Sequence, residues 1–161
     1  MQISFDKLSD SSRLWVYQAQ RPFTTSELTK ITDLTEQFIA SWEAHGHPLA
    51  ASYEIRYNQF LIISVDESYN GATGCSIDAS VGLVRTIEAE VGVSMLDRSQ
   101  IAFLEDNQVI MESLASLKNA VTSGKLTKEV PVFNNSVSSL KDYKEKWLVP
   151  AGESWMARYF H

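Results

Sequence analysis

The sequence contains a single cysteine, Cys75, among its 161 residues. That excludes an internal disulfide and a cysteine-rich zinc module. Positive charge is also scarce: fourteen Lys and Arg stand against twenty Asp and Glu, a formal net charge of -6. A protein built to hold a phosphate backbone normally presents a basic surface, so no nucleic-acid partner is expected. Long apolar runs are missing too. The longest, Phe60-Leu61-Ile62-Ile63, is far short of the roughly twenty residues of a membrane-spanning helix. The opening residues Met1 to Asp6 lack the basic and apolar stretches of a signal peptide. A soluble, cytoplasmic protein with one free thiol is the expectation. No segment is of low complexity, and no period of twenty to fifty residues repeats.

What is present suffices for a core: 44% of the residues are hydrophobic and 21% charged. One α+β domain over residues 1–161 is expected, with a core in 1–112 and an extension in 113–161 packed on it. Arg13 to Gln18 reads as a first strand, rich in aromatic and β-branched residues. Thr24 and Glu27 form a capping-box pair, and Leu28, Ile31, Leu34, Phe38, Ile39 and Trp42 follow at helical spacing. The spacing predicts a helix from about Thr25 to His45, stopped by Gly46 and Pro48. Ala51–Tyr57 and Phe60–Asp66 read as a hairpin around Asn58-Gln59, the second strand apolar on both faces. Ile77, Val81, Val84, Ile87 and Val91 predict a second helix with Gly92 as its C-cap and Ser76 or Asp78 as its N-cap. Ile101–Glu105 follows as a strand, turned by Asp106-Asn107 into Gln108–Glu112. Strand, helix, strand, strand, helix, strand is the order of a ferredoxin-like βαββαβ core, a mainly antiparallel sheet with helices on one face. A short helix ending at Gly124, a strand near Val130–Phe133 and a helix near Ser139–Trp147 complete the extension.

Chemistry-bearing residues concentrate between the two long helices. Cys75 lies at the start of the second helix, where backbone N–H groups and the helix dipole favour a thiolate. His47 or His45 would serve as base, with Asp66 or Asp78 to orient it, which makes Cys75, His47 and Asp66 the candidate catalytic set. His45, Glu67, Asn70, Ser76 and Asp78 are candidate ligand-binding residues on the same loops. Pairing Tyr57 with Phe60 sets Ala51 opposite Asp66, so His47, Asp66 and Cys75 are expected on one rim of the sheet. His45 and His47 are too weakly patterned for a metal site, and neither a metal nor another cofactor is expected. Trp15, Tyr17, Tyr53, Tyr57 and Arg56 suggest a stacking platform for a nucleobase or other planar ligand, but aromatic residues on one strand face are more often core. Two classes of function follow. One is a non-catalytic domain that binds a small molecule or a protein partner; the other is a small cysteine-dependent enzyme.

The stretches His45-Gly-His-Pro-Leu-Ala-Ala-Ser-Tyr-Glu-Ile-Arg-Tyr-Asn-Gln-Phe, Val65-Asp-Glu-Ser, Gly74-Cys-Ser-Ile-Asp-Ala-Ser, Val132-Phe-Asn-Asn and Val149-Pro-Ala-Gly-Glu-Ser-Trp carry a resemblance over nearly the whole chain. The sequence resembles an uncharacterised Bacteroidetes family of about this length, whose members are often labelled "ABC transporter ATPase". The resemblance implies a bacterial protein and no particular catalytic residue or cofactor. The label would imply ATP hydrolysis, yet Asn70-Gly-Ala-Thr-Gly-Cys-Ser has no Lys after its second glycine, and G-x-x-x-x-G-K-[ST] occurs nowhere. No ATPase activity is expected.

Overall fold

The computed structural model describes every residue from Met1 to His161. Strand β1 (Arg13–Gln18) leads into helix α1 (Thr25–Ser41). The capping box forms: Thr24 Oγ1 accepts from Glu27 N–H at 3.2 Å, and Thr24 N–H donates to Glu27 Oε1 at 2.9 Å. The helix stops at Ser41, four residues before its expected end at His45. The physical reason is the hairpin that follows, β2 (Glu43–Ala44) and β3 (His47–Pro48). Its turn residues His45 and Gly46 both have positive φ, 53° and 78°, which a helix cannot contain.

Strands β4 (Ala51–Arg56) and β5 (Phe60–Val65) form the predicted hairpin with a different register. Arg56 pairs with Phe60 and Ala51 with Val65, not with Asp66. Tyr57 is drawn into the turn, where it and Asn58 adopt φ of 54° and 52°. Packing explains the choice. The observed register sets Tyr53 and Ile55 across from Ile63 and Leu61, on the face that carries the core. A shift by one residue would set Tyr53 against Ser64 and break that face.

β1, β5 and β4 form one antiparallel sheet in the order β1-β5-β4. Helices α1 and α2 (Gly74–Val91) cover one face, burying Ile31, Ile39, Leu83, Val84 and Ile87 against Tyr17, Leu61, Ile63 and Val65. The other face, with Leu14, Phe60 and Ile62, packs against Phe133, Leu140, Tyr143 and Trp147. Both faces of β5 are therefore buried, as its unbroken apolar sequence requires.

The fourth strand leaves the ferredoxin-like pattern. β6 (Gln100–Glu105) does not add to β1; it pairs with β7 (Gln108–Ser113) through the Asp106-Asn107 turn, and on its other side with β8 (Pro131–Phe133). β9 (Leu148–Pro150) completes a second antiparallel sheet, β7-β6-β8-β9. Helix α3 (Leu117–Thr122) leads toward β8, and helix α4 (Leu140–Lys146) lies between β8 and β9 in sequence. The residues beyond 113 thus supply half of the second sheet and the cover for one face of the first. The final turns bury Ala151 and Met156 against Phe103, Leu117 and Val132. No helix is long and apolar enough to cross a membrane.

Candidate functional site

The loop between β5 and α2 crosses the end of the first sheet beside the β2–β3 hairpin. Asn70 fastens the two, its amide donating to the carbonyls of His47 (3.0 Å) and Ala44 (3.3 Å). Asp66 is buried, and its carboxylate accepts from the Ser68 hydroxyl (2.6 Å), Ser68 N–H (3.1 Å) and Ser9 N–H (3.3 Å). The Ser68 hydroxyl, ahead of burial acting the other way, holds its carboxyl below the usual range. Glu67 faces Arg13 at 3.6 Å and accepts from Ala72 N–H at 2.9 Å. The α2 cap is Thr73, three positions before Ser76, the nearer of the two expected caps; Ser76 instead sits at N3 and completes a capping box. Cys75 and Asp78 are exposed on the first turns of α2, and His45 and His47 are exposed on the hairpin. No hydrogen bond joins Cys75, His47 and Asp66 to one another. No three His, Cys, Asp or Glu side chains gather as metal ligands would.

The backbone N–H groups of this loop serve the protein itself. Ala72 N–H goes to Glu67, Thr73 N–H to Ser76 Oγ (2.6 Å), and Ser76 N–H to Thr73 Oγ1 (3.2 Å). A phosphate cradle needs such donors free and uncompensated by a carboxylate. The supposed stacking platform is also occupied. Tyr57 packs among Phe60, Phe133 and Trp147, and Tyr53 donates to Glu36 at 2.9 Å. Arg56 lies over the rings of Tyr57 and Trp147 and donates to Tyr143 at 3.1 Å.

A cleft lies elsewhere, where β6 would have paired with β1. It is a cleft of about 870 Å³ between the outer edge of β1 and the second sheet. Ligand pockets commonly fall between about 300 and 1,000 Å³. One wall comes from α2, where Ile77, Val81 and Arg85 follow at four-residue spacing and share a face. The loop before β6 adds Leu96, Asp97 and Arg98, and the segment after β8 adds Asn134–Ser138. Leu96 and Trp155 are among the few large hydrophobic side chains left exposed, 37% and 45%.

Charge in the cleft runs against the charge of the molecule. Three arginines, Arg13, Arg85 and Arg98, line it, with Asp97 as the one acid. Asp97 is occupied by Ser99 N–H (2.8 Å) and the Ser99 hydroxyl (2.7 Å). Arg13 is paired with Glu67 and lies over Trp15. Arg85 and Arg98 make no ion pair. Sequence reasoning singled out neither. Arg85 carried a readable signal, since it ends the Ile77-Val81 stripe of a helix. Arg98, Leu96 and Trp155 carried none, because only the separation of the two sheets brings them together.

No family model, curated protein or solved structure matches this chain.

Proposed function

We propose that this protein is a non-catalytic binding domain whose seat is the cleft between β1 and the second sheet. Its ligand carries an anionic group on an apolar body. The observation that supports this reading is a cleft of mixed apolar and polar lining with two unpaired arginines, in a chain of net charge -6. Screening confines each charge to roughly 8 Å at physiological ionic strength, so a ligand inside the cleft meets the arginines rather than the distant acids. Kinship with the Bacteroidetes family belongs to the same proposal, without the ATP chemistry of its label, and so does a cytoplasmic location.

The test uses an aromatic sulfonate, 8-anilinonaphthalene-1-sulfonate, on the folded protein. Saturable one-to-one binding is expected, weakened about tenfold by Arg85→Glu with Arg98→Glu. Binding that ignores both substitutions, or that appears only as the protein unfolds, defeats the reading. A second reading is a small enzyme using Cys75 with His45 or His47. The exposure of Cys75 at the second position of α2 favours it. A native thiol that shows the ordinary pH profile of a free cysteine, unchanged by His47→Ala, would remove it.

A further inference from the structure

The cleft is bounded by main chain as well as by side chains, and the main chain narrows the class of ligand. β1 is an edge strand: all six of its residues pair with β5, and no strand is registered on its other side. The direction of each backbone group along β1 follows from the hydrogen bonds at its ends. Ala19 N–H donates to Gln59 O at 2.8 Å, toward the sheet. Leu14 N–H donates to Ser138 O at 3.1 Å and Gln20 N–H to Ser94 O at 3.1 Å, away from it. Backbone groups alternate along a strand, so Val16 and Gln18 also direct their N–H and C=O outward, into the cleft.

The outer edge of β1 is thus occupied at both ends and open between them. At the Leu14 end, the segment Ser138–Leu140 already bonds to it as an antiparallel bridge. At the other end the Gln18 side chain spans the gap, donating to Gln100 O at 3.1 Å and accepting from Asn135 at 2.8 Å. Between Leu14 and Gln18 about 13 Å of the edge runs without a strand partner. Exposed edges are ordinarily blunted by Pro, Lys or bulges. β1 carries no Pro or Lys, and its pairing with β5 runs without a bulge.

We propose that the occupant of the cleft is an extended peptide segment rich in acidic residues, added as a strand along the outer edge of β1. The inference rests on the binding reading above and specifies its ligand. Main-chain bonds to Val16 and Gln18 would supply affinity that does not depend on sequence. Alternate side chains would turn to opposite walls. One set meets Ile77, Val81 and Arg85 of α2, and the other meets the Asn134–Ser138 segment. Acidic residues of the set facing α2 find Arg85, their methylene stems lying along Ile77 and Val81, and apolar residues of the other set turn toward Phe133 and Val137.

Isotope-labelled protein, titrated with the blocked peptide Ac-Val-Glu-Val-Glu-Val-Glu-NH2, tests the proposal by amide hydrogen exchange. Exchange at Val16 and Gln18 is expected to slow about tenfold or more at saturation. The same peptide N-methylated at alternate residues, and the version with Lys for Glu, are expected to give no protection. In the Arg85→Glu, Arg98→Glu protein the preference is expected to move toward the Lys peptide. If the aromatic sulfonate binds the cleft but the Glu peptide leaves Val16 and Gln18 unprotected, strand addition is wrong and the cleft reading survives. If neither probe perturbs residues of the cleft, both are wrong.

Discussion

Two glycines show how local space decides the sign of one substitution. A Cβ on Gly152 would lie 2.8 Å from Lys128 Cβ and 3.1 Å from Lys128 O, while Gly152 N–H donates to that same carbonyl at 2.8 Å. Neither neighbour can withdraw without moving backbone. Gly152→Ala is therefore expected to destabilise the protein by roughly 1–3 kcal/mol in urea denaturation. Gly82 sits inside α2 with nothing within 4 Å of the same position. Gly82→Ala is expected to stabilise by up to about 1 kcal/mol, because Ala gives up less backbone freedom in a helix. Equal effects from the two would contradict this local account. At this scale the capping pair Thr24 and Glu27 was fully legible, since it is a contact between near neighbours. The α2 cap was not. Thr73 and Ser76 form a Thr/Ser version of the box, without the Glu or Gln at N3 that makes the signature readable.

Among the elements, α1 carries a titratable brace at its start. Arg21 donates to both carboxylate oxygens of Glu27, at 2.8 and 2.9 Å, and Thr24 N–H adds a third bond. Arg21 above all, then Thr24, holds the Glu27 carboxyl down to about 2 from its usual 4.5. A depressed carboxyl favours the folded state above its unfolded value and gives that up as the proton binds. The contribution is therefore complete above about pH 5.5 and lost as pH falls from about 4.5 toward 2. Glu27→Gln is expected to lower stability near neutrality and to converge with the parent protein near pH 2. Because the pair is open to water, 1 M salt should narrow the neutral-pH difference. A gap that stays constant from pH 7 to pH 2 would refute the assignment.

The elements also show where sequence pattern stops being informative. The two long helices, the β4–β5 hairpin and the β6–β7 hairpin all rest on local periods and turn residues. Register was harder: the choice between Ala51–Val65 and Ala51–Asp66 depends on which face of Tyr53 meets the helices. β6 was harder still. Its six residues suit either sheet, and only the arrival of β8 and β9, about thirty and forty-five residues later, fixes its partners. The cleft depends on that same event, which is why the loops around Cys75 drew attention and Arg98 and Trp155 did not.

At the scale of the whole molecule, the two sheets share one core. Leu14, Phe60 and Ile62 of the first pack with Ala102 and Phe133 of the second, and Trp147 closes the cluster 5.1 Å from Phe60, ring to ring. Trp42 lies in the other large cluster, 4.9 Å from Phe38, with its indole N–H on the Ser76 carbonyl at 2.9 Å. These two buried tryptophans report on opposite faces of the first sheet. Because β5 belongs to both clusters, neither face can be stripped while the other stays intact. Urea unfolding of a Trp15→Phe, Trp155→Phe, Trp147→Phe protein, which keeps Trp42 alone, should therefore match that of a Trp15→Phe, Trp155→Phe, Trp42→Phe protein, which keeps Trp147 alone, once each is scaled by its own midpoint. Calorimetric and van't Hoff enthalpies should agree within each variant. An intermediate in which the Trp147 signal is lost while that of Trp42 persists would mean that the second sheet and α4 form a separable layer. The cleft between β1 and β6 would then be a junction between two folding units, rather than a groove held open by one continuous core.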